Sequence, residues 1–328
     1  MSGLVLVTGA TGFIGTYLVR QLVASGRVVR VLARRPSALE PALRGQVQTV
    51  AGDVRDPAAI ARAVPGAHTV LHLAACARAW SRDPNEFTSV NVHAVEGLLT
   101  AAARAGVARL VHVSTVLTLS PFRPAPVNGA ASRPTPYEVT KRAGERLVES
   151  YAAQGRHATI VHPTRVYGPG PLTDANAVSK VVALYLSGRF RVRLNDHDAL
   201  ANYVHAADVA TGIRLAAERG HSGTHYLLGG ENISFRALLA LVGELAGVRR
   251  RVLALPTPAA LVAAHAAELW GRLGGTAPLT PGWVRVFLED RRGDIGPAQA
   301  DLGYAPRPLR TGLTETIAWL AQRRRPAA

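Results

Sequence analysis

The sequence predicts an α/β fold in which helices cover both faces of a parallel sheet. Short apolar runs that are typical of strands alternate with helical patterns throughout the first half of the chain. The segments between them are short and contain no internal repeat or low-complexity linker. The first apolar run, Leu4–Val7, leads through closely spaced glycines into a helical pattern. Together these observations predict a doubly wound sheet of the Rossmann type.

Six strands and four helices are predicted before residue 163. The strands are 4–8, 28–33, 47–50, 69–73, 109–114 and 158–162. The helices between them are 13–25, 57–63, 86–105 and 136–154. After Pro163 the pattern is less regular, with helical stretches at 176–187, 207–218, 234–246, 257–272 and 310–324. These stretches predict a smaller, mostly helical C-terminal lobe that packs over the open edge of the sheet.

The predicted domain organisation follows this change of pattern. Residues 1–165 are expected to form the dinucleotide-binding domain, with 200–230 returning to it. The substrate-binding lobe takes the remaining segments, 166–199 and 231–328. Within the lobe, stretch 257–272 consists almost wholly of Ala, Leu and Val. We predict a buried helix there, and contact with a membrane surface or a partner is the alternative.

The composition is that of a globular protein, with 48% hydrophobic and 18% charged residues. No apolar run approaches the roughly 18 residues of a membrane-spanning helix. The single cysteine, Cys76, fits a reducing compartment, and the chain enters its first strand without a secretory signal. A cytoplasmic protein is therefore expected. The net charge is +16, but the basic residues are scattered and form no nucleic-acid module, so no nucleic-acid partner is expected.

The turn after the first strand is typical of an anion-binding site. Three glycines in it have the spacing GxxGxxG. Because they lack side chains, backbone N–H groups and the N-terminus of the next helix can approach a pyrophosphate. The strand before the turn and the helix after it favour this interpretation over a purely structural turn. The predicted cofactor-binding residues of the turn are Gly9, Thr11, Gly12, Phe13, Ile14 and Gly15.

The second strand favours NADP(H) over NAD(H). From Thr16 to Leu39 there is no Asp or Glu, so the acid that commonly holds the ribose 2′-hydroxyl of NAD is missing. The strand instead leads into Arg34 and Arg35, whose guanidinium groups suit a 2′-phosphate. After the third strand, Asp53, next to Val54, is predicted to accept a hydrogen bond from the adenine amino group.

One predicted helix carries an acid–base pair. Tyr137 and Lys141 are four residues apart, so their side chains share one face of the helix. A nearby ammonium favours the phenolate, and the pair can exchange a proton with a substrate oxygen near neutral pH. The fifth strand ends in Ser114 and Thr115, at the edge of the sheet where ligands bind. The predicted chemistry is proton transfer assisted by a strand-end hydroxyl.

Motifs along nearly the whole chain occur together. They are Thr8–Gly15, Leu71–Ala75, Asn91–Val92, Ser114–Thr115, Tyr137–Lys141, Tyr167–Gly170, Tyr203–His205 with Asp208, and Asp301–Tyr304. In combination they resemble an extended short-chain dehydrogenase/reductase of the NAD(P)-dependent epimerase/dehydratase family. The resemblance implies that Tyr137 is the acid/base and that Lys141 holds the nicotinamide ribose and lowers the tyrosine pKa. It also implies that a strand-end hydroxyl polarises the substrate oxygen.

Several further roles are implied by the resemblance. Thr115 is the expected active hydroxyl, with Ser114 as the alternative, and Asn91 is expected to help hold the site. The residues expected to lie beside the cofactor are Leu73, Ala74, Ala75, Pro163 and Thr164. No metal belongs to this predicted site.

A homodimer is also expected. In this family the helices that correspond to 86–105 and 136–154 often pair across a two-fold axis, and two-fold dimers are common in general. The apolar positions that suggested such pairing are Val95, Leu98, Leu99, Leu147 and Val148.

The segment after the sixth strand bears on the reaction. Arg165 occupies a position at which many nucleotide-sugar enzymes carry asparagine, and the sequence around it looks more like that of dihydroflavonol reductases. The prediction is an NADPH-dependent reductase of a ketone or aldehyde on a small organic metabolite. The alternatives are a nucleotide-sugar epimerase or dehydratase with retained NAD, and a non-catalytic dinucleotide sensor. The pocket is expected from 76–87, 117–136 and 168–179, and the candidate substrate residues are Arg78, Trp80, Arg165 and Tyr167.

Overall fold

A seven-stranded parallel sheet organises the first half of the chain. The computed structural model describes residues 3–127, 132–195, 199–277 and 279–324. The strands are β1 Leu4–Thr8, β2 Val29–Ala33, β3 Gln48–Ala51, β4 Ala67–His72, β5 Arg109–Val113, β6 Ala158–Pro163, β7 Arg165–Tyr167, β8 Val192–Leu194, β9 Leu200–His205, β10 His225–Leu228, β11 Glu231–Ser234 and β12 Leu253–Leu255. The large sheet has the order β10-β6-β5-β4-β1-β2-β3, with every pair parallel. The predicted doubly wound α/β fold is confirmed.

Helices flank this sheet and build most of the C-terminal lobe. They are α1 Phe13–Ala24, α2 Pro57–Ala63, α3 Asn85–Thr88, α4 Ala94–Arg104, α5 Pro136–Ala153, α6 Ala177–Leu186, α7 Ala206–Arg219, α8 Phe235–Ala246, α9 Thr257–Arg272, α10 Pro281–Leu288, α11 Gly296–Leu302 and α12 Leu309–Arg324. The six predicted strands and nine predicted helical stretches all correspond to observed elements. The predictions missed β7 to β12, α10 and α11, which are short and lack a long hydrophobic period.

The predicted helix 86–105 is divided into α3, a π-helical turn at Ser89–His93, and α4. The side chain of Asn91 lies in this turn and is hydrogen-bonded to the backbone of Cys76. The Asn91 carbonyl also faces α5 so closely that a Cβ atom at Gly144 would lie 2.5 Å from it. The wider turn thus accommodates tight packing between two helices, a tertiary contact that the periodicity did not reveal.

Hydrophobic clusters cover the two faces of the large sheet. One contains side chains from α1 and α7, and the other contains side chains from α2, α4 and α5. The positions that suggested a dimer lie in or against the second cluster: Val95, Leu98, Leu99, Leu147 and Val148. Because these side chains pack mainly within the chain, they give no support to a two-fold interface, and the homodimer stays a prediction.

The lobe combines small sheets with helices. Strands β7, β9 and β11 form one sheet, and β8 pairs with β12. Strand β10 instead joins the large sheet beside β6, so the chain returns to the first domain after visiting the lobe. Helices α6, α8 and α12 enclose a third cluster of apolar side chains against the lobe sheet. The assignment of 200–230 to the first domain remains our proposed division.

The prediction of a buried helix at 257–272 is wrong. Helix α9 has the predicted bounds, but its buried residues are only Ala260, Ala264 and Gly271. The two alanines and the partly buried Leu261 pack in the cluster with α10, whereas Val262, Leu269 and Trp270 remain exposed. No helix in the described part of the chain is long and apolar enough to cross a bilayer.

Candidate active site

The glycine turn after β1 lies against the loop that follows β4. Gly9 has φ +72°, and a Cβ atom there would lie 2.7 Å from the backbone nitrogen of Ala74. The Gly12 N–H donates to the Gly9 carbonyl at 2.9 Å, and helix α1 starts at the next residue. This backbone has the space and orientation that a pyrophosphate needs, so the predicted dinucleotide site fits the residues present. The backbone of Leu73 and Ala74 lies at its edge.

The end of β2 presents the two candidate phosphate-binding arginines. Arg34 and Arg35 are both exposed, and Arg34 lies close enough to Asp53 to contribute to the lowered pKa of that carboxyl. The main cause of that lowering is the hydrogen bond from Arg55, whose Nη2 lies 2.8 Å from Asp53 Oδ2. The carboxylate predicted to bind adenine is therefore already engaged by an arginine, and Val54 beside it is half-buried.

Tyr137 and Thr115 meet at the carboxyl edge of the sheet. Tyr137 lies in the first turn of α5, and its phenol is hydrogen-bonded to the Thr115 side chain. Burial raises the pKa of Tyr137 to about 12 despite this hydrogen bond. The predicted lowering of the tyrosine pKa is therefore not found. The phenol is protonated at neutral pH and can donate its proton to a substrate oxygen.

Lys141 is completely enclosed one helical turn further along α5. Its exposed fraction is 1%. The ammonium donates to the Val113 carbonyl at 2.8 Å and lies 3.2 Å from His112 Nε2. Burial lowers the pKa of Lys141 to about 8, partly opposed by the charge of Glu145. These partners place the ammonium under the end of β5, which explains why it does not lower the tyrosine pKa.

Two stacked, buried histidines lie between Lys141 and β1 and extend the group of buried polar side chains around the lysine. The rings of His72 and His112 are 5.4 Å apart, and His72 Nδ1 lies 2.7 Å from the Thr8 hydroxyl. Burial lowers the pKa of His72 to about 3 and that of His112 well below its usual range. Both rings are therefore neutral at pH 7, which leaves Lys141 as the positive charge of this group.

Ser114 points away from Tyr137 into a second polar cluster. Its hydroxyl donates to the buried carboxylate of Glu145, which also accepts from Thr118 at 2.6 Å. His162 lies beside them, with Nδ1 3.6 Å from Glu145 Oε1, and burial lowers its pKa to about 4. Ser114 and Thr115 are therefore engaged by different partners, and only Thr115 contacts the phenol.

The cluster around Glu145 extends to the surface. His162 Nε2 lies 2.9 Å from His225 Nδ1, and His225 Nε2 lies 3.2 Å from a carboxylate oxygen of Glu149. Glu145, Glu149 and His225 have potential ligand atoms within 4.8 Å of one another. The buried Glu145 is nevertheless compensated by Arg142, whose Nη1 is 3.3 Å from Oε2, and by the two hydroxyls. The arrangement is explained as an ion-pair and hydrogen-bond network.

A buried ionic network fixes the start of α5. Glu138, next to Tyr137, accepts from Arg285 of α10 at 2.6 Å and from the backbone N–H of Thr135 at 2.7 Å. Arg285 also pairs with Glu289, which in turn accepts from Arg291 at 2.6 Å. The Arg291 guanidinium then donates to the carbonyls of Val116 and Leu119, just after Thr115. Thus one chain of contacts holds both the tyrosine turn and the loop that carries the threonine.

The remaining predicted cofactor and positioning residues have defined surroundings. The Asn91 side chain donates to the Thr140 hydroxyl at 3.1 Å, and so ties the π-helical turn to the catalytic helix. Pro163 ends β6, and the Thr164 hydroxyl donates to Asn202 at 2.8 Å instead of facing the glycine turn. Ala75 follows Ala74 at the edge of the turn and is half-buried.

The four candidate substrate residues do not converge on one cavity. Arg78 is exposed and pairs with Glu86 at 3.3 Å, whereas the Trp80 ring packs against Gly271 of α9. The Arg165 guanidinium lies over two aromatic rings and donates to the Val286 carbonyl at 3.3 Å. Tyr167 is enclosed in the lobe core, so the structure gives it no support as a substrate residue. Part of the predicted pocket stretch 117–136, residues 128–131, lies outside the described residues.

Sequence reasoning missed Glu145, His112 and Arg285, and it did not predict the polar cluster around His162. A signal existed for the first, because Glu145 is four residues after Lys141 and eight after Tyr137, on the same helix face. The histidines interrupt apolar strand runs, which marks them as buried polar residues. Nothing local to Arg285 distinguishes it among the many arginines of this chain.

Comparison with known proteins supports the family assignment. The family described as NAD dependent epimerase/dehydratase matches residues 5–229. The chain belongs to this family. Sterol demethylase protein B of Methylococcus capsulatus is 32% identical over 337 residues, which cover 97% of this chain and 98% of that protein. The 4-hydroxy-2-methyl-3-oxo-4-farnesyl-3,4-dihydroquinoline-1-oxide ketoreductase of Stigmatella aurantiaca is 32% identical, covering 92% of this chain and 91% of that protein.

Two further similarities complete the comparison. A Synechocystis protein named for dihydroflavonol 4-reductase is 26% identical over 97% of this chain and 95% of its own length. The crystal structure of gox2253 superimposes with a TM-score of 0.81 and 30% identity, covering 99% of this chain and all of that one. The predicted resemblance to extended short-chain dehydrogenases/reductases is confirmed, and the chain is an NAD(P)-dependent oxidoreductase of that type.

Proposed function

We propose that this family member reduces a ketone or aldehyde of an organic metabolite with NADPH. The observation that carries the proposal is the hydrogen bond between the Tyr137 phenol and the Thr115 side chain, at the same edge of the sheet as the glycine turn. The two hydroxyls lie at the carboxyl edge of a parallel sheet, where a substrate oxygen can approach both. The farnesyl-bearing ketone named in one relative makes a partly apolar substrate the first class to test.

In this proposal each side chain has a separate task. NADPH, when bound, supplies a hydride to the carbonyl carbon. Tyr137 donates its proton to the carbonyl oxygen, and Thr115 orients that oxygen by a hydrogen bond. Lys141 supplies a positive charge beneath the end of β5, where it would hold the nicotinamide ribose of the bound cofactor. Asn91 positions α5 through Thr140 and does not touch the reacting atoms.

The preference for NADPH rests on the end of β2. Arg34 and Arg35 are exposed there, and no acidic residue competes for the ribose between residues 16 and 39. An exposed arginine can turn to a 2′-phosphate with little rearrangement, whereas a 2′-hydroxyl offers it no charge. The proposal therefore assigns the discrimination between the two cofactors mainly to Arg34.

A substrate panel tests the proposed reaction. The purified chain is mixed with NADPH or NADH and a series of ketones and aldehydes with increasing apolar chain length. We expect absorbance to show NADPH oxidation, with one alcohol formed for each NADPH consumed. Mass spectrometry of the protein as purified provides the second measurement. Retained NAD without net oxidation of NADPH would favour an epimerase, and tight NADPH binding without any turnover would favour a sensor.

A further inference from the structure

The outer face of α9 exposes four large apolar side chains. We define this face by Val262, Leu269, Trp270 and Leu273, which are exposed by 71%, 59%, 63% and 73%. Val262 and Leu269 lie two helical turns apart, with the exposed Ala266 and His265 between them. Trp270 follows Leu269 directly, and Leu273 is the residue after the end of the helix. Leu253 of β12, just before the helix, is also strongly exposed. Large apolar side chains exposed together in this way indicate an interaction site.

The inner side of the helix is already used. Ala260 and Ala264 belong to a cluster with Val284 and Leu288 of α10, which anchors α9 to the lobe. The outer face is therefore not required for folding of the lobe. The Trp270 indole lies across the turn at Gly275, close to that backbone, and most of its surface remains exposed. Tryptophan with this partial exposure is typical of positions at a boundary between water and lipid.

Arginines precede the outer face along the chain and lie at its C-terminal end. Segment 249–274 contains four arginines, three of them consecutive at 249–251, and Glu268 as its single acidic residue. Glu268 is paired with Arg272 at 2.8 Å, so it contributes no free negative charge. Arg82, from the loop after β4, donates to the Gly274 carbonyl at 2.6 Å and adds another cation at the same end. Two copies meeting through this face would bring the arginines of both together, which disfavours self-association.

We propose that the outer face of α9 docks onto a lipid bilayer surface that carries anionic headgroups. Apolar side chains would enter the boundary between headgroups and acyl chains, while the flanking arginines contact the headgroups, as in interfacial amphipathic helices. The helix lies on the surface and does not span the bilayer. This proposal concerns where the protein sits and holds whichever carbonyl compound it reduces.

The position of the face suggests a use for docking. A side chain at Gly271 would meet the Trp80 ring, so the end of α9 packs directly on the loop that is predicted to line the substrate pocket. A docked lobe therefore brings this loop next to the bilayer. If the proposed reductase function is correct, an apolar substrate can then reach the site from the lipid without crossing water.

Vesicle flotation of the full chain tests the proposal. One set of vesicles contains phosphatidylcholine alone and the other contains phosphatidylcholine with phosphatidylglycerol. We expect the protein to float mainly with the anionic vesicles, and added salt should release it. The double variant Val262→Asp and Leu269→Asp should reduce the partition coefficient roughly tenfold or more. Each of Arg249→Ala and Arg251→Ala should reduce it about fivefold on anionic vesicles only.

The matched control is Val28→Asp, because Val28 is also an exposed valine but lies before β2, far along the chain from the lobe. This variant should float like the unmodified chain, and circular dichroism should show that all variants are folded. Failure of the unmodified chain to bind either vesicle, or equal binding by the double variant, would overturn the proposal. Light scattering that shows a dimer lost in the double variant would assign the face to a second copy instead. Reduction of a water-soluble substrate by the double variant should be unchanged, so a failed docking test leaves the proposed reaction untouched.

Discussion

Helices α5 and α9 have similar lengths but invert the usual relation between polarity and burial. Helix α5 buries Lys141 and Glu145, whereas α9 exposes Val262 and Trp270. Burying a charge costs free energy unless partners compensate it, and exposing large apolar side chains forgoes the stabilisation that burial gives. Neither arrangement is explained by stability of the chain alone.

The difference between the two helices indicates which of their residues serve function and not only stability. In α5 every buried charge has specific partners, such as Val113 for Lys141 and Ser114 for Glu145, so the cost has been offset by directed contacts. In α9 the exposed side chains have no comparable partners among the described residues. The first pattern favours chemistry within the chain, and the second favours contact with something outside it.

The largest effect should come from the phenol on α5. Tyr137→Phe removes one hydroxyl and is expected to lower turnover by roughly 10²–10⁴-fold, because it removes the proposed proton donor. NADPH affinity and the melting temperature should change little. Tyr151→Phe on the same helix is the matched control and should retain activity. Near-native single-turnover rates in Tyr137→Phe would show that Tyr137 is not the proton donor. They would also contradict the interpretation that the polar residues of α5 serve catalysis.

Lys141 should affect both turnover and cofactor affinity. Its pKa is lowered to about 8 by burial, so the ammonium is charged below that pH and loses its charge above it. NADPH affinity of the unmodified chain should therefore fall as the pH rises through about 8. Lys141→Ala should bind weakly at every pH, and Lys141→Arg should also fail because its planar group is larger than an ammonium. Fluorescence titration measures this, with Lys180→Ala as the exposed control. An unchanged pH profile in Lys141→Ala would contradict the assignment.

Removal of the Thr115 hydroxyl and removal of the Ser114 hydroxyl should have clearly different effects on turnover. Thr115→Ala is expected to slow turnover by up to roughly 10²–10³-fold, the range for loss of one donor to a developing oxyanion. Ser114→Ala should be milder towards turnover because its hydroxyl donates to Glu145 and does not contact the phenol. Steady-state kinetics and NADPH titration on both variants make the comparison. A larger loss of turnover in Ser114→Ala would reverse the assignment of the two hydroxyls.

Replacing Arg34 tests whether this exposed guanidinium binds the 2′-phosphate of NADPH. Arg34→Ala should weaken NADPH binding by roughly tenfold to a hundredfold, since a charged hydrogen bond is worth about 1.5–3 kcal/mol. NADH affinity should stay the same. The matched control is Arg104→Ala, an exposed arginine at the C-terminal end of α4, away from the ligand edge of the sheet. Equal losses for both cofactors would show that Arg34 does not read the 2′-phosphate.

The smallest effect on stability should come from the outer face of α9. Leu269→Gln is expected to change the free energy of unfolding by no more than about 0.5 kcal/mol, because the side chain is exposed. Truncation of a buried leucine, as in Leu98→Ala of α4, should instead cost about 2–5 kcal/mol. Denaturant unfolding measures both. A large loss in Leu269→Gln would mean that the outer face stabilises the lobe itself and would weaken the case for docking.

The sequence by itself determined six of the seven strands of the large sheet, the glycine turn and the pair on α5. Each of these depends on local patterns: short apolar runs, a helical period of 3.6, or a fixed spacing of three or four residues. Chain order then specified that Ser114 and Thr115 end a strand beside that helix. The same reasoning gave the bounds of α9, because its length and composition are properties of the segment alone.

Only the tertiary structure decided how these parts face one another. Ser114 and Thr115 are adjacent in sequence, yet one turns to Glu145 and the other to Tyr137 because successive residues of an extended chain, here just after β5, point to different sides. The partners of Glu138 and Lys141 come from distant segments, so no local pattern contains them. The exposure of α9 likewise depends on which helix packs beneath it. The hydrophobicity of a segment expresses only its tendency to be buried, so it could not predict this exposure. Contacts between distant segments decided those features, and short-range periodicity carries no information about them.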